Sequence, residues 1–136
     1  MKSIIFFLLF SITGFAQNSE EYAKKLHHNL PGEKVYLESE VDVKPKLMYG
    51  ENAMYRFMSR NFKFPNERAI PKIVCSFVIE LDGTISDVKV VNNISESYKK
   101  EAIRVLSLFK EPWYPAVKNN QQVRCQIIYP IQFDRL

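Results

Sequence analysis

Few residues in this 136-residue chain have side chains that suggest chemistry, and their spacing argues against most of it. His27 and His28 are the only histidines. Adjacent side chains diverge, whereas helical metal pairs sit at i and i+4, and a structural zinc site needs about four ligands. No cysteine or carboxylate completes a set beside them, so they read as a solvated pair. Cys75 and Cys125 are the only thiols. A nucleophilic thiolate needs an accessible, electropositive setting. Cys75 instead lies among Val74, Phe77 and Val78, which implies a buried structural thiol. Glu80, Asp82 and Asp87 are paired carboxylates of the kind used in acid–base chemistry, but they flank a tight turn with no pocket indicated. Trp113-Tyr114 offers a stacking surface for a sugar or a peptide. The alternative is an aromatic pair that pins its loop to a core. No catalytic residue, cofactor or metal ligand is expected.

The elements that must position these residues follow from periodicity. Met54, Phe57, Met58 and Phe62 have the i, i+3, i+4 spacing of one helix face, over Asn52 to Phe62, with Pro65 as the stop. Lys72 to Leu81 is rich in β-branched and aromatic residues. Asp82-Gly83 follows, then a second strand-like run, Thr84 to Val91, and this pattern is a strong hairpin signal. Ser95 is a good N-cap for a helix to about Lys110, carrying Tyr98, Ala102, Val105, Leu106 and Phe109 on one face. Pro112 and Pro115 enclose Trp113-Tyr114 in a stiff loop. Last, Val123, Cys125, Ile127, Tyr129, Ile131 and Phe133 alternate with mostly polar neighbours, a strand with one face on a core. The expected fold is α+β, in the order helix–strand–strand–helix–strand. It is a three-stranded antiparallel or mixed sheet with two helices on one face and the last strand beside the first hairpin strand. If those two strands are antiparallel neighbours, Cys75 and Cys125 are offset along the sheet, beyond the ~7 Å reach of a disulfide. Two free thiols are expected.

The domain organisation is simple. Lys2, an apolar stretch to Ile12 and small residues Gly14 and Ala16 before Gln17 have the form of a secretory signal peptide over 1–16. The polar run from Gln17 ends the stretch well short of the ~20 residues that span a bilayer. Residues 17–43 read as a flexible lead, with a possible short strand in the loosely alternating stretch Val35 to Val43. The compact domain spans 44–136. The chain carries a net charge of +4, and +3 once Lys2 leaves with the signal. The charges are interspersed, without the basic stripe that nucleic acid binding requires.

Pro130 singles out the last strand. Proline has no N–H for a ladder, so it belongs on an edge. The segment Val123 to Tyr129 is then expected to turn unpaired N–H and C=O groups to solvent. Two readings stand. The edge accepts another chain's strand, or Pro130 is there to blunt it against aggregation.

Several motifs, in order, resemble the C-terminal domain of the TonB family in its Bacteroidetes-type form. They are Val41-Asp-Val-Lys-Pro45, Asn61-Phe-Lys-Phe-Pro65, Phe77-Val-Ile-Glu-Leu-Asp-Gly83 with Ile85-Ser-Asp-Val-Lys-Val-Val91, Glu101-Ala-Ile-Arg104, Trp113-Tyr-Pro-Ala116, and Tyr129-Pro-Ile-Gln-Phe133. The chain departs from the pattern at Pro71-Lys72, Ala116 and Asn119-Asn120-Gln121, where the family usually has glycine. The resemblance implies a periplasmic protein whose last strand pairs with an extended segment, the TonB box, of an outer-membrane transporter. By that implication the partner-binding residues are Val123, Arg124, Cys125, Gln126, Ile127, Ile128 and Tyr129, with Phe64 and Pro65 nearby. The family's transducers carry an uncleaved inner-membrane helix and a long proline-rich span. A cleaved signal here would leave a free periplasmic domain, and an uncleaved one an anchored protein. Homodimerisation through the same edge and peptidoglycan binding are the alternatives.

Overall fold

The computed structural model describes residues 34–134. The expected signal peptide, His27-His28 and most of the expected lead lie outside the described residues. The strands are β1 (Val35–Leu37), β2 (Lys46–Leu47), β3 (Ile73–Ile79), β4 (Ile85–Val90), β5 (Trp113–Tyr114), β6 (Ala116–Lys118) and β7 (Gln121–Ile131). The helices are α1 (Ala53–Asn61) and α2 (Glu96–Leu108), and a single 3-10 turn, Glu38–Glu40, follows β1.

The fold is α+β with two helices and a mixed sheet, and the sheet has five strands rather than three. Its main path is β1-β7-β3-β4, with β6 also paired to β7. The expected neighbours are present: β3 pairs antiparallel with β4 and with β7. A separate two-stranded ribbon joins β2 to β5, so Trp113-Tyr114 forms a short strand and not a loop. The ladder β3–β7 runs from Ile73 opposite Ile131 to Ile79 opposite Cys125. Odd residues of both strands face the core, where Cys75, Phe77, Ile79, Cys125, Ile127 and Ile131 meet Met54 and Met58 of α1 and Tyr98, Ala102, Val105 and Leu106 of α2. Both helices therefore cover this face. Met54 and Met58 are fully buried, which stabilises the docking of α1 by roughly 3–6 kcal/mol for the pair.

Local chemistry fixes the joints. The Ser95 hydroxyl caps α2 by accepting from the Tyr98 N–H, and it donates to the Glu67 carboxylate. Gly83 holds φ at 83° in the hairpin turn, where its carbonyl accepts from the Trp113 N–H at 3.0 Å. A Cβ at this position would lie 2.5 Å from the Trp113 carbonyl oxygen, so only glycine lets the turn close onto β5. Asn119 and Asn120 both take left-handed φ values, 49° and 62°. They form the two-residue connection between Lys118 and Gln121 without the usual glycine. In β4, left-handed Asp87 (φ 49°) coincides with a register shift opposite Ser76–Val78, a bulge that twists this outer edge of the sheet.

The two motifs shared between α1 and α2 explain each other. Glu101 holds Arg104 through two hydrogen bonds, at 2.6 and 3.0 Å. Its Oε1 also accepts from the Lys63 N–H at 2.7 Å. Arg104 in turn donates to the Asn61 carbonyl at 3.0 Å. A cation and a donor thus meet the orphan carbonyl at the C-terminus of α1.

Candidate functional site

The candidate site is the side of β7 that faces away from β3, and its geometry follows from Pro130. Opposite Pro130, Val74 turns both backbone groups toward β4: its carbonyl accepts from Val91 and its N–H donates to the Asn92 side chain. Residues 130, 128, 126 and 124 of β7 therefore direct their backbone groups outward, because antiparallel pairs alternate. Proline costs β7 no bond to β3.

That outer side is not open along Val123 to Tyr129, contrary to the sequence expectation. β6 pairs with Gln121 to Val123. β1 then lies parallel to β7, with Val35, Tyr36 and Leu37 opposite Arg124, Cys125 and Gln126. Beyond β1, the Glu38 carboxylate lies 3.4 Å from the Ile128 N–H, and Pro130 has no N–H to offer. Over its first half β7 is an interior strand. The compact region accordingly begins near Lys34 and not at Lys44. The short strand read within Val35–Val43 is thus part of the sheet, a placement the sequence could not show because its partner lies about 90 positions away.

The expected partner-binding side chains divide between three environments. Cys125 and Ile127 are buried in the core, with Val123 and Tyr129 packed against it. Arg124 and Gln126 lie on the opposite face and are engaged within the chain. Arg124 forms a two-bond pair with Glu80, at 2.7 and 2.9 Å, and Gln126 donates to the Ser76 hydroxyl at 2.8 Å. Burial raises the Glu80 carboxyl, but the hydrogen bonds from Arg124 and Ser86 outweigh it and hold the group below its ordinary range. Ile128, by contrast, is 50% exposed beside the outward edge. Phe64 is brought to the far end of β7, 45% exposed, with its ring 5.0 Å from Phe62 and from Phe133. Pro65 follows it, half-buried. The structure thus leaves Ile128 exposed beside the outer edge of β7, packs Phe64 on Phe133 just past the strand's end, and leaves Arg124 committed to an internal ion pair.

Sequence reasoning offered a short strand within Val35–Val43 but missed its pairing with β7, and with it the places of Glu38 and Lys118. Lys118 donates to the Glu40 carbonyl at 2.6 Å, and its ammonium lies 5.7 Å from the centre of the Tyr36 ring. Lys34 approaches the same ring at 4.5 Å. Farther along, Val43 and Val117 exchange backbone hydrogen bonds at 3.0 Å, and Asp42 accepts from the Asn119 N–H.

The other chemical candidates come apart. Cys75 and Cys125 are free and buried, and four residues of register separate them, as Cys75 faces Tyr129 while Cys125 faces Ile79. Burial pushes both thiols up to about 11, with Glu38 and Glu40 adding to the effect at Cys125. Asp82 is engaged by Thr84 in the hairpin turn and Asp87 lies in the bulge. Trp113 is buried against Phe77, with ring centres 5.9 Å apart, so it anchors its strand to the core. Among the described residues no group of three or more His, Cys, Asp or Glu is placed to hold a metal, and no helix is long and apolar enough to cross a membrane.

No curated protein and no solved structure matches the chain. Residues 71–134 match the family model of the Gram-negative bacterial TonB protein C-terminal region. The match takes in the β3–β4 hairpin, α2 and β5 to β7, and α1 and the lead precede it. TonB C-terminal domains are periplasmic and non-enzymatic. They imply a role in TonB-dependent energy transduction and interaction with the outer-membrane receptors of that system. A mixed sheet with two helices on one face agrees with a family match over β3 to β7: across residues 71–134 this chain is a TonB C-terminal domain.

Proposed function

We propose that this protein is an exported binding module that engages a short extended segment of an outer-membrane transporter, the TonB box, by adding it as a strand to the outer side of β7. One observation carries the reading: that side of β7 already accepts a strand, β1, in parallel. Main-chain pairing there supplies affinity, and flanking side chains choose the partner. Ile128 is the exposed apolar group beside the strand's far half, and exposed Phe64 packs on Phe133 just past its end. Val123 to Tyr129 furnish the backbone.

Binding of TonB-box peptides to the natural protein and to Gln126→Pro tests this. Gln126 directs its N–H outward, so proline removes a donor from the docking side without touching the β3 ladder. Binding should fall at least tenfold. Equal binding by both proteins rejects strand addition at β7. Export by a signal peptide cleaved before Gln17 completes the proposal. A mature protein beginning at Met1 would instead mean an anchored transducer.

A further inference from the structure

The segment that fills the docking side of β7 is weakly built. None of residues 34 to 46 is buried, and Leu37, the last paired residue of β1, is 49% exposed. β1 contributes three paired residues, all at the margin of the sheet. Its side-chain tethers are exposed or partly exposed: the Lys118 bond to the Glu40 carbonyl and the long Glu38–Ile128 contact, while the Lys34–Glu40 pair at 3.7 Å closes within the segment itself. Segments with little buried apolar area open at free energies far below that of global unfolding. The downstream anchor at Val43–Val117 is separate, so residues 34–40 can leave β7 while the chain stays attached at β6.

Resting on the strand-addition reading above, we propose that Lys34–Glu40 is a built-in occupant of the partner site, which an incoming segment must displace. The occupant also describes the partner. It runs parallel to β7, places alternate side chains on the two faces of the sheet, and carries a carboxylate one residue past the pairing to meet the Ile128 N–H. The partner's apparent affinity is then lowered by the fraction of time β1 is docked.

The probe is a synthetic peptide copying residues 34–40, titrated into the full mature chain. In Tyr36→Pro, proline disrupts β1, and the probe should bind about tenfold more tightly than to the natural protein. In Leu37→Cys/Gln126→Cys, neighbouring positions on adjacent strands lie within disulfide reach. Oxidation should abolish binding and reductant should restore it. Because that lock is reversible within one sample, it decides the matter even if Tyr36→Pro unfolds. A probe bound equally by locked and reduced protein overturns the proposal, as does an unchanged affinity in a folded Tyr36→Pro. TonB-box peptides separate this idea from its premise. If the probe responds to the lock and TonB-box peptides bind no form, the self-docked segment stands and the partner assignment fails. If TonB-box peptides bind locked and reduced protein alike, displacement of β1 is refuted while partner binding survives.

Discussion

Gly83→Ala should be among the most damaging single-methyl additions this domain can receive. The cost has three parts. A left-handed backbone at φ 83° strains any L side chain by about 1 kcal/mol. The new Cβ would sit 2.5 Å from the Trp113 carbonyl oxygen and 3.3 Å from its nitrogen. Both are backbone atoms, so no side-chain rotation relieves the overlap, and crowding of this kind costs about 1–3 kcal/mol. Any retreat of Trp113 also weakens its 3.0 Å hydrogen bond to Gly83 and its pairing with Leu47. The expected loss is about 2–4 kcal/mol. Gly50 provides the internal control: it has φ 107° but nothing within 4 Å of a Cβ, so Gly50→Ala carries strain alone, about 1 kcal/mol. Urea unfolding followed by tryptophan fluorescence measures both. With a slope of roughly 1–3 kcal/mol/M, Gly83→Ala should shift the midpoint about 1–2 M further than Gly50→Ala. Variants that unfold within ~0.5 kcal/mol of each other would show that the hairpin turn does not rest on β5 as described.

Asn120→Gly should stabilise the β6–β7 turn by roughly 0.5 kcal/mol and Asn120→Val should destabilise it by about 1–2 kcal/mol, read from the same urea curves, because φ is 62° there. For Glu101, the Arg104 hydrogen bonds are the main cause that holds the carboxyl below its ordinary 4.5, against some burial. Glu80 is also lowered, with burial opposing the Arg124 and Ser86 bonds. Groups depressed on folding contribute stability that is complete above the unfolded value and is lost as pH falls through the folded one. Stability should therefore decline below about pH 4.5, and Glu80→Gln/Glu101→Gln should flatten that decline while lowering the neutral-pH plateau. An unchanged acid limb in thermal melts would contradict the pairing. Cys75 and Cys125, with thiols pushed up to about 11, should react with a thiol reagent at pH 8 at least ~100-fold more slowly in native protein than in urea. Rapid labelling of both without denaturant would mean the sheet opens freely.

The parts of the fold legible in the sequence were those whose signal lies within one element. The Asp82-Gly83 turn, the Ser95 cap, the i, i+3, i+4 face of α1 and the alternation along β7 each need only ten or so residues to declare themselves. Pro130 gave more, since a missing donor fixes which side of the strand faces out. What stayed hidden was carried by short segments pairing across long separations. β2, β5 and β6 are two or three residues each, below the length at which alternation can be counted, and for β1, read only as a short strand, the pairing partner was out of sight. Ala116 and Asn119-Asn120 departed from the glycines of the family pattern, yet asparagine tolerates left-handed backbone, so the turn survives. For the site, the sequence located the strand but not its neighbours. Arg124 read as an outward recognition residue because Glu80, its partner, lies 44 positions away.

Exchange of β1 for an incoming strand replaces one set of main-chain hydrogen bonds with another, so the pairing itself contributes little net free energy. The resident segment also has the advantage of its tether, which gives it an effective concentration on the order of millimolar. A partner wins only through contacts that β1 does not make. The structure offers them just past Glu38. The outward carbonyls of Ile128 and Pro130 and the exposed Ile128 side chain lie along the half of β7 that β1 fails to reach, and the Phe64 ring packs on Phe133 just past its end. A segment two or three residues longer than β1 would gain those groups and still use the register at Arg124 to Gln126. Selectivity on this edge therefore depends on length and on the side chains at its far end. On the same reasoning Phe64→Ala should weaken a long partner strand while leaving the seven-residue self peptide almost unaffected.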